Sequence, residues 1–144
     1  PIFTSATEPF QIGKAQFFSE GSDVSIFACG HMVWKAIEAG KILEEKGIKA
    51  EVVNIHTIKP LDTEAILASI TKTRCAVTVE EHNIIGGMGD AIAQTAARNF
   101  PIPIEYIGTK DTFGESGTPM ELLKKYGLDT PDILAAVEKV MARK

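Results

Sequence analysis

The chain has 144 residues, 44% of them apolar and 24% charged, the balance of a water-soluble globular protein long enough to bury a full core. Its 15 basic and 19 acidic residues leave a net charge of −4 and form no basic stripe, which argues against nucleic acid and anionic membrane as partners. Cys29 and Cys75 stand alone in apolar runs and are expected as buried free thiols; with no signal peptide and no apolar run of about 18 residues, a cytoplasmic location is expected.

Pro1 stands where an initiator Met would, and Pro1–Pro9 reads as a linker. Either an initiator Met has been removed or the chain is a piece of a longer polypeptide, which the linker-like start slightly favours; the domain is expected over residues 10–144. Gly13–Ser19 can add an edge strand. Val24–Cys29 is strand-like, and His31–Lys46 follows as a helix with Val33, Ile37, Gly40 and Leu43 at helical spacing, stopped by Gly47. Ala50–Ile55 is the next strand, and Asp62 can cap a helix carrying Ile66, Leu67 and Ile70. Cys75–Val79 is a third apolar strand. Beyond Gly89, Ile92, Ala96 and Phe100 line one helical face, thickened by Ala93 and Ala97, until Pro101 ends it.

Ile104–Ile107 is the last strand candidate. Thr118-Pro119-Met120-Glu121 is a capping box with proline at the first helical position, and Gly127 lies past that helix. Thr130-Pro131 opens a final helix with Ile133, Val137, Val140 and Met141 inward. The alternation of strand and helix predicts a mostly parallel sheet with helices on both faces.

Ligands of such sheets gather at the strand carboxyl ends. Here those ends are Gly30-His31, His56-Thr57, Glu80-Glu81-His82 and Gly108–Asp111, and all three histidines fall there. The Gly86-Gly87-Met88-Gly89 turn opens a helix, the kind of place where free amides and the helix dipole hold phosphate. The dinucleotide fingerprint fails, because Ile92 stands where a third small residue is needed. Glu80, Glu81 and Asp90 would meet an anion with negative charge, and no Lys or Arg lies between Arg74 and Arg98. The glycines are read instead as close helix–sheet packing.

A metal at Glu80, Glu81, His82 and His56 is disfavoured, since neighbours on an extended chain point to opposite faces and no zinc-type spacing occurs. The acids are expected to bond loop amides or a partner. His31 lacks a visible partner for acid–base work, Ser116 lacks the setting of a nucleophile elbow, and Trp34 is read as core or interface.

Five runs in order carry a resemblance over about 130 residues: Phe10–Ala15, Ala28-Cys29-Gly30, Ile58–Asp62, Thr78–His82 with Gly86–Gly89, and Asp111–Gly117. Together they resemble the C-terminal domain of transketolase, particularly of transketolases divided into N- and C-terminal sections. The resemblance implies a three-layer α/β/α fold with a five-stranded mixed sheet, one strand antiparallel. It implies an enzyme moving a two-carbon ketol unit between sugar phosphates in the pentose phosphate pathway with thiamin diphosphate and Mg2+. In that family the cofactor lies between the two preceding domains, which bind its diphosphate and pyrimidine ends, across a dimer interface.

The C-terminal domain is not a known source of catalytic groups, so none is expected here, and no cofactor is expected on this domain. The Gly-Asp-Gly to Asn-Asn motif of thiamin enzymes is absent; Gly89-Asp90-Ala91 is a fragment of it. The partners implied are the diphosphate- and pyrimidine-binding domains, on the same or a separate chain, in a homodimer-like assembly. The same domain type occurs in 1-deoxyxylulose-5-phosphate synthase and in pyruvate dehydrogenase-type beta subunits. A third reading is a regulatory ligand-binding module. His31, Glu80, Glu81, His82, Gly86, Gly87 and Gly89 are the candidate interface or regulatory-ligand residues. A packing domain must also present an apolar patch, for which Phe10, Phe17, Phe18 and Phe113 are contributors.

Overall fold

The computed structural model describes residues 9–110 and 116–144. Phe113, most of the Asp111–Gly117 run and the lead-in up to residue 8 therefore lie outside the described residues. Five strands, β1 (Gln16–Ser19), β2 (Val24–Ala28), β3 (Ala50–Asn54), β4 (Ala76–Asn83) and β5 (Ile104–Thr109), form one sheet in the order β1-β3-β2-β4-β5. β1 pairs antiparallel with β3, and the other pairings are parallel. The helices are α1 (Met32–Glu45), α2 (Thr63–Thr73), α3 (Met88–Asn99), α4 (Pro119–Lys125) and α5 (Thr130–Ala142).

Alternation along the strands builds two cores. Val24, Ile26 and Ala28 of β2, Ala50 and Val52 of β3, and Val77 and Val79 of β4 face α1 and α5. Phe27, Val53, Ile55, Ala76 and Ile104 face α2 and α3. That is the expected α/β/α sandwich with a five-stranded mixed sheet.

Several details differ from the sequence reading. The edge strand starts at Gln16 because Gly13 and Lys14 belong to a preceding turn. In α1 the buried line runs through Met32, Ala36 and Ala39. Ile37 and Gly40 are half-buried: a Cβ on Gly40 would lie 2.9 Å from Val52 Cγ2, so small residues let the helix sit close on β3. In α3, Ala97 is exposed. Phe18 is half-buried against the α1 core and does not belong to a surface patch. Cys75 is buried but Cys29 only half so, and both are free.

The caps follow the chemistry. Asp62 Oδ1 accepts from Ala65 N at 3.2 Å, and Thr118 and Glu121 form the expected capping box on α4. Arg74 ends α2 in the left-handed conformation at φ 66°. Asp129 caps α5, where the sequence reading looked only to Thr130-Pro131, and it also binds Lys35 Nζ of α1 at 2.5 Å. Lys35 is only 4% exposed, its ammonium lying 4.1 Å over the Trp34 ring and 3.9 Å from Glu38. At its other end α5 fastens to the strand beginnings, with Arg143 on Glu105 at 2.8 Å and Lys144 Nζ donating to the Asp23 carbonyl at 2.9 Å.

Candidate functional site

β2 runs into α1 on one face of the sheet and its neighbour β4 runs into α3 on the other, so the chain direction reverses between them. That crevice is where an α/β sheet offers a ligand site. The reversal brings Cys29-Gly30-His31 beside Glu80, with Cys29 N donating to Val79 O at 3.3 Å. β4 continues past its expected end to Asn83, so Glu80-Glu81-His82 are strand residues and not a loop. Pairing with β5 is regular to Val79 and resumes at Asn83 after an irregularity. Gly108 permits the passage: a Cβ there would lie 2.6 Å from Ile84 Cγ2 and 2.8 Å from the His82 carbonyl.

Strand alternation sends Glu80 to the α2/α3 face with Ala76 and Thr78. It is 2% exposed and meets the start of α3, its Oε1 accepting from Met88 N at 2.8 Å and its Oε2 from Gly89 N at 2.7 Å. A buried carboxylate is thus held by two backbone donors at the positive end of a helix dipole. The glycines make room for it. A Cβ on Gly87 would lie 1.9 Å from Glu80 Oε1, and one on Gly89 would lie 2.8 Å from Thr78 Oγ1 and 2.9 Å from the Tyr106 ring. Gly86 has open space around it but a φ of +82°, so its need is conformational.

The turn satisfies itself elsewhere too. Asn83 Oδ1 accepts from Ile85 N at 2.9 Å, and Asp90 Oδ2 accepts from Gly86 N at 2.5 Å. Four amides that a phosphate would want are therefore already bonded to side chains of this chain. The expectation that the acids bond loop amides holds for Glu80, whereas Glu81 is exposed. His82 is exposed, its Nδ1–H donating to the Asn83 carbonyl at 2.9 Å and lying 3.9 Å from Glu80 Oε1. His31 is exposed at the start of α1, with no side-chain cap bond. His56 sits apart at the end of β3, 3.1 Å from Thr57 Oγ1 and with its ring 4.6 Å from that of Phe10.

The electrostatics of the crevice disfavour a thiolate at Cys29. Burial, and after it the negative charge of Glu80, push the Cys29 thiol up to about 11, so it stays protonated at neutral pH. Burial likewise raises the Tyr106 hydroxyl, with Asp90 adding to it. Thr78 Oγ1 is buried beside Gly89 with no hydrogen-bond partner among the described residues. Among those residues no three His, Cys, Asp or Glu side chains converge as a metal site would require. The sequence pointed to the stretch but not to the singular part of Glu80; the missing signal was that alternation from Ala76 turns residue 80, and not 81, toward the glycines.

A family described as "Transketolase, C-terminal domain" matches residues 13–133. A 6-deoxy-6-sulfo-D-fructose transketolase subunit of a Clostridium species is 44% identical over 140 residues, covering 97% of this chain and 44% of the relative. A 1-deoxy-D-xylulose-5-phosphate synthase of a Synechococcus species is 39% identical over 144 residues, covering 99% of this chain and 22% of the relative. A solved split-gene transketolase, described as an inactive beta4 tetramer, superposes with a TM-score of 0.95 at 44% identity, over 99% of this chain and 46% of that one. The chain thus spans less than half the length of these relatives.

Proposed function

Because this chain belongs to the transketolase C-terminal domain family, we propose that it is the non-catalytic carboxyl-terminal domain of a thiamin diphosphate enzyme moving a two-carbon ketol unit between sugar phosphates. The observation that carries the reading is the Glu80 carboxylate on the Met88 and Gly89 amides. The Gly86–Gly89 turn, built like a phosphate cradle, is filled by the chain's own anion, and the residues around it do not fit a cofactor diphosphate with its metal. Asp90, Glu81 and Glu80 would repel that group, and each Glu80 oxygen already accepts a backbone amide. The domain's part is then to assemble with and support the thiamin-binding domains, fused or supplied as a separate chain, in a homodimer-like enzyme. The subunit naming of the Clostridium relative and the split-gene neighbour support such a partnership.

No helix of the described residues is long and apolar enough to cross a membrane. A cytoplasmic place in pentose phosphate chemistry goes with the proposal.

The test is a coupled ketol-transfer assay with xylulose 5-phosphate as donor. The 144-residue chain alone should show neither transfer nor calorimetric binding of thiamin diphosphate, and the chain assembled with the thiamin-binding domains should transfer. Turnover by the chain alone refutes the assignment. The 39% identity to a 1-deoxy-D-xylulose-5-phosphate synthase favours a second reading, the same domain in a pyruvate-using sister enzyme. Consumption of pyruvate in place of the ketose phosphate by the assembled enzyme selects it.

A further inference from the structure

A second buried carboxylate lies at the other end of the sheet, under the last turn of α2. Alternation along β3 turns Glu51, like Val53 and Ile55, toward the α2/α3 face. Its side chain is 1% exposed. Oε1 accepts from Lys72 Nζ and, at a long 3.4 Å, from Gly21 N, while Oε2 has no hydrogen-bond partner among the described residues. The hydroxyl across the register is engaged elsewhere: Ser25, opposite Glu51 on β2, meets Ser69 Oγ and Thr73 Oγ1 at 2.6 Å each. Gly21 is fixed as well. A Cβ there would lie 2.4 Å from the Lys49 carbonyl oxygen, so its turn is already pressed onto the start of β3. Glu80 rests on two amides at normal distance, whereas Glu51 rests on one cation.

That cation stands at the surface. Lys72 belongs to the last turn of α2 and has 46% of its side chain exposed. Two other ion-paired lysines lack this combination. Lys35 is closed off together with Asp129, and Lys139 is open but shares Glu105 with Arg143. At Lys72, of these three, an amine in contact with solution balances a charge in the core.

We propose that Lys72 is an acylation site through which a small acyl phosphate loosens the domain. Nζ passes one proton to Glu51 along their hydrogen bond and attacks the acyl carbonyl carbon. The C–N bond forms, the acyl–oxygen bond breaks, and inorganic phosphate leaves with the electron pair and a second amine proton. The resulting amide keeps one N–H and no charge. Glu51 is then a buried acid without a cation. Removing one partner of a buried pair is the costly change, because the other stays behind in the core. Acylation of Lys46, exposed and without a described partner, carries no such cost.

The experiment treats the 144-residue chain and its Lys72→Arg variant with acetyl phosphate, maps the acetylated lysines by mass spectrometry and melts each sample. In the wild type a second transition about 5–10 °C below the first should appear, its amplitude following the occupancy of Lys72. Lys72→Arg keeps a cation that does not acylate, so at equal acetylation elsewhere its melting temperature should move by less than about 2 °C. Lys72→Gln should lower the melting temperature of the untreated chain by a similar 5–10 °C or so, and adding Glu51→Gln should recover most of the loss. Acetylation of Lys46 while Lys72 stays free overturns the site. Acetylation of Lys72 with no lower transition overturns its hold on the fold, as does an equal drop in Lys72→Arg. If Lys72→Gln fails to fold, the acetylated wild type still decides between these outcomes.

Discussion

Gly87→Ala isolates the relation between the glycine turn and Glu80. Gly87 has φ −95° and ψ −161°, an extended conformation open to any residue. On backbone grounds alone the substitution should stabilise the protein by about 0.4–1 kcal/mol, by narrowing the unfolded ensemble. The new Cβ, however, would stand 1.9 Å from Glu80 Oε1 and 2.8 Å from its Cδ, so the carboxylate must leave. That strips two charge-assisted bonds worth about 1.5–3 kcal/mol each and leaves a buried charge facing a worse environment. Partial relaxation and the backbone gain offset some of this, and a net loss of about 2–4 kcal/mol results. For a chain of this length that lowers the melting temperature by roughly 10 °C. Urea unfolding of wild type, Gly87→Ala, Glu80→Ala and the double variant reads the coupling. In the Glu80→Ala background Gly87→Ala should cost little, because only the 3.0 Å approach to the Asn83 carbonyl remains. Equal costs in both backgrounds would refute the account of Gly87 as room for the carboxylate.

Other outcomes follow from the same structure. The hydrogen bond from Lys35, with the Thr130 amide after it, holds the Asp129 carboxyl below the ordinary carboxylate range. A lowered folded value contributes stability above the unfolded value and loses it as pH falls through the folded one. The stability gap between wild type and Asp129→Asn should therefore be widest near neutrality and narrow below about pH 5, and a gap flat across that range would disprove the linkage. Cys29, raised from 9.0 to about 11, should alkylate at pH 8 about a hundredfold more slowly than an ordinary thiol, and Glu80→Gln should speed it by removing the nearby charge. Arg74→Gly should relieve about 1 kcal/mol of left-handed strain while losing about half of that as the guanidinium contact with Phe100, 5.7 Å away, disappears. Arg74→Ala gains nothing and loses the contact, so indistinguishable melts for the two variants would remove strain as the cause.

The layered fold was legible because local signals agreed with the tertiary ones. Asp62 and Thr118 cap where spacing predicted, the β-branched runs became the buried strands, and the segment before Ser19 became the antiparallel edge. Less legible was anything set by a distant partner. Lys35 looks like a surface residue of an amphipathic helix until Asp129, ninety-four positions later, supplies its counter-charge. β4 outruns its apolar stretch because Gly108 on β5 lets a polar segment cross it. At the crevice, the sequence displayed acids and glycines side by side with their negative charge arguing against phosphate. It could not display that a single carboxylate had already taken the helix start. Phe10 and Phe17 were expected on the surface and stand there, whereas Phe18, one alternation away, turns inward.

The bonds that fasten α5 reach back across almost the whole chain. Lys144 holds the carbonyl of Asp23, 121 positions earlier, and Asp129 secures Lys35. During synthesis, therefore, the flanks of α1 and β4 that α5 packs against stay uncovered until that helix has been made. Contacts so remote in sequence also close slowly. A nascent chain interrupted within α5 would leave Val77 and Val79 of β4 without that helix's cover. Closure of this core thus waits on α5, far in sequence from the glycine turn that marks its family.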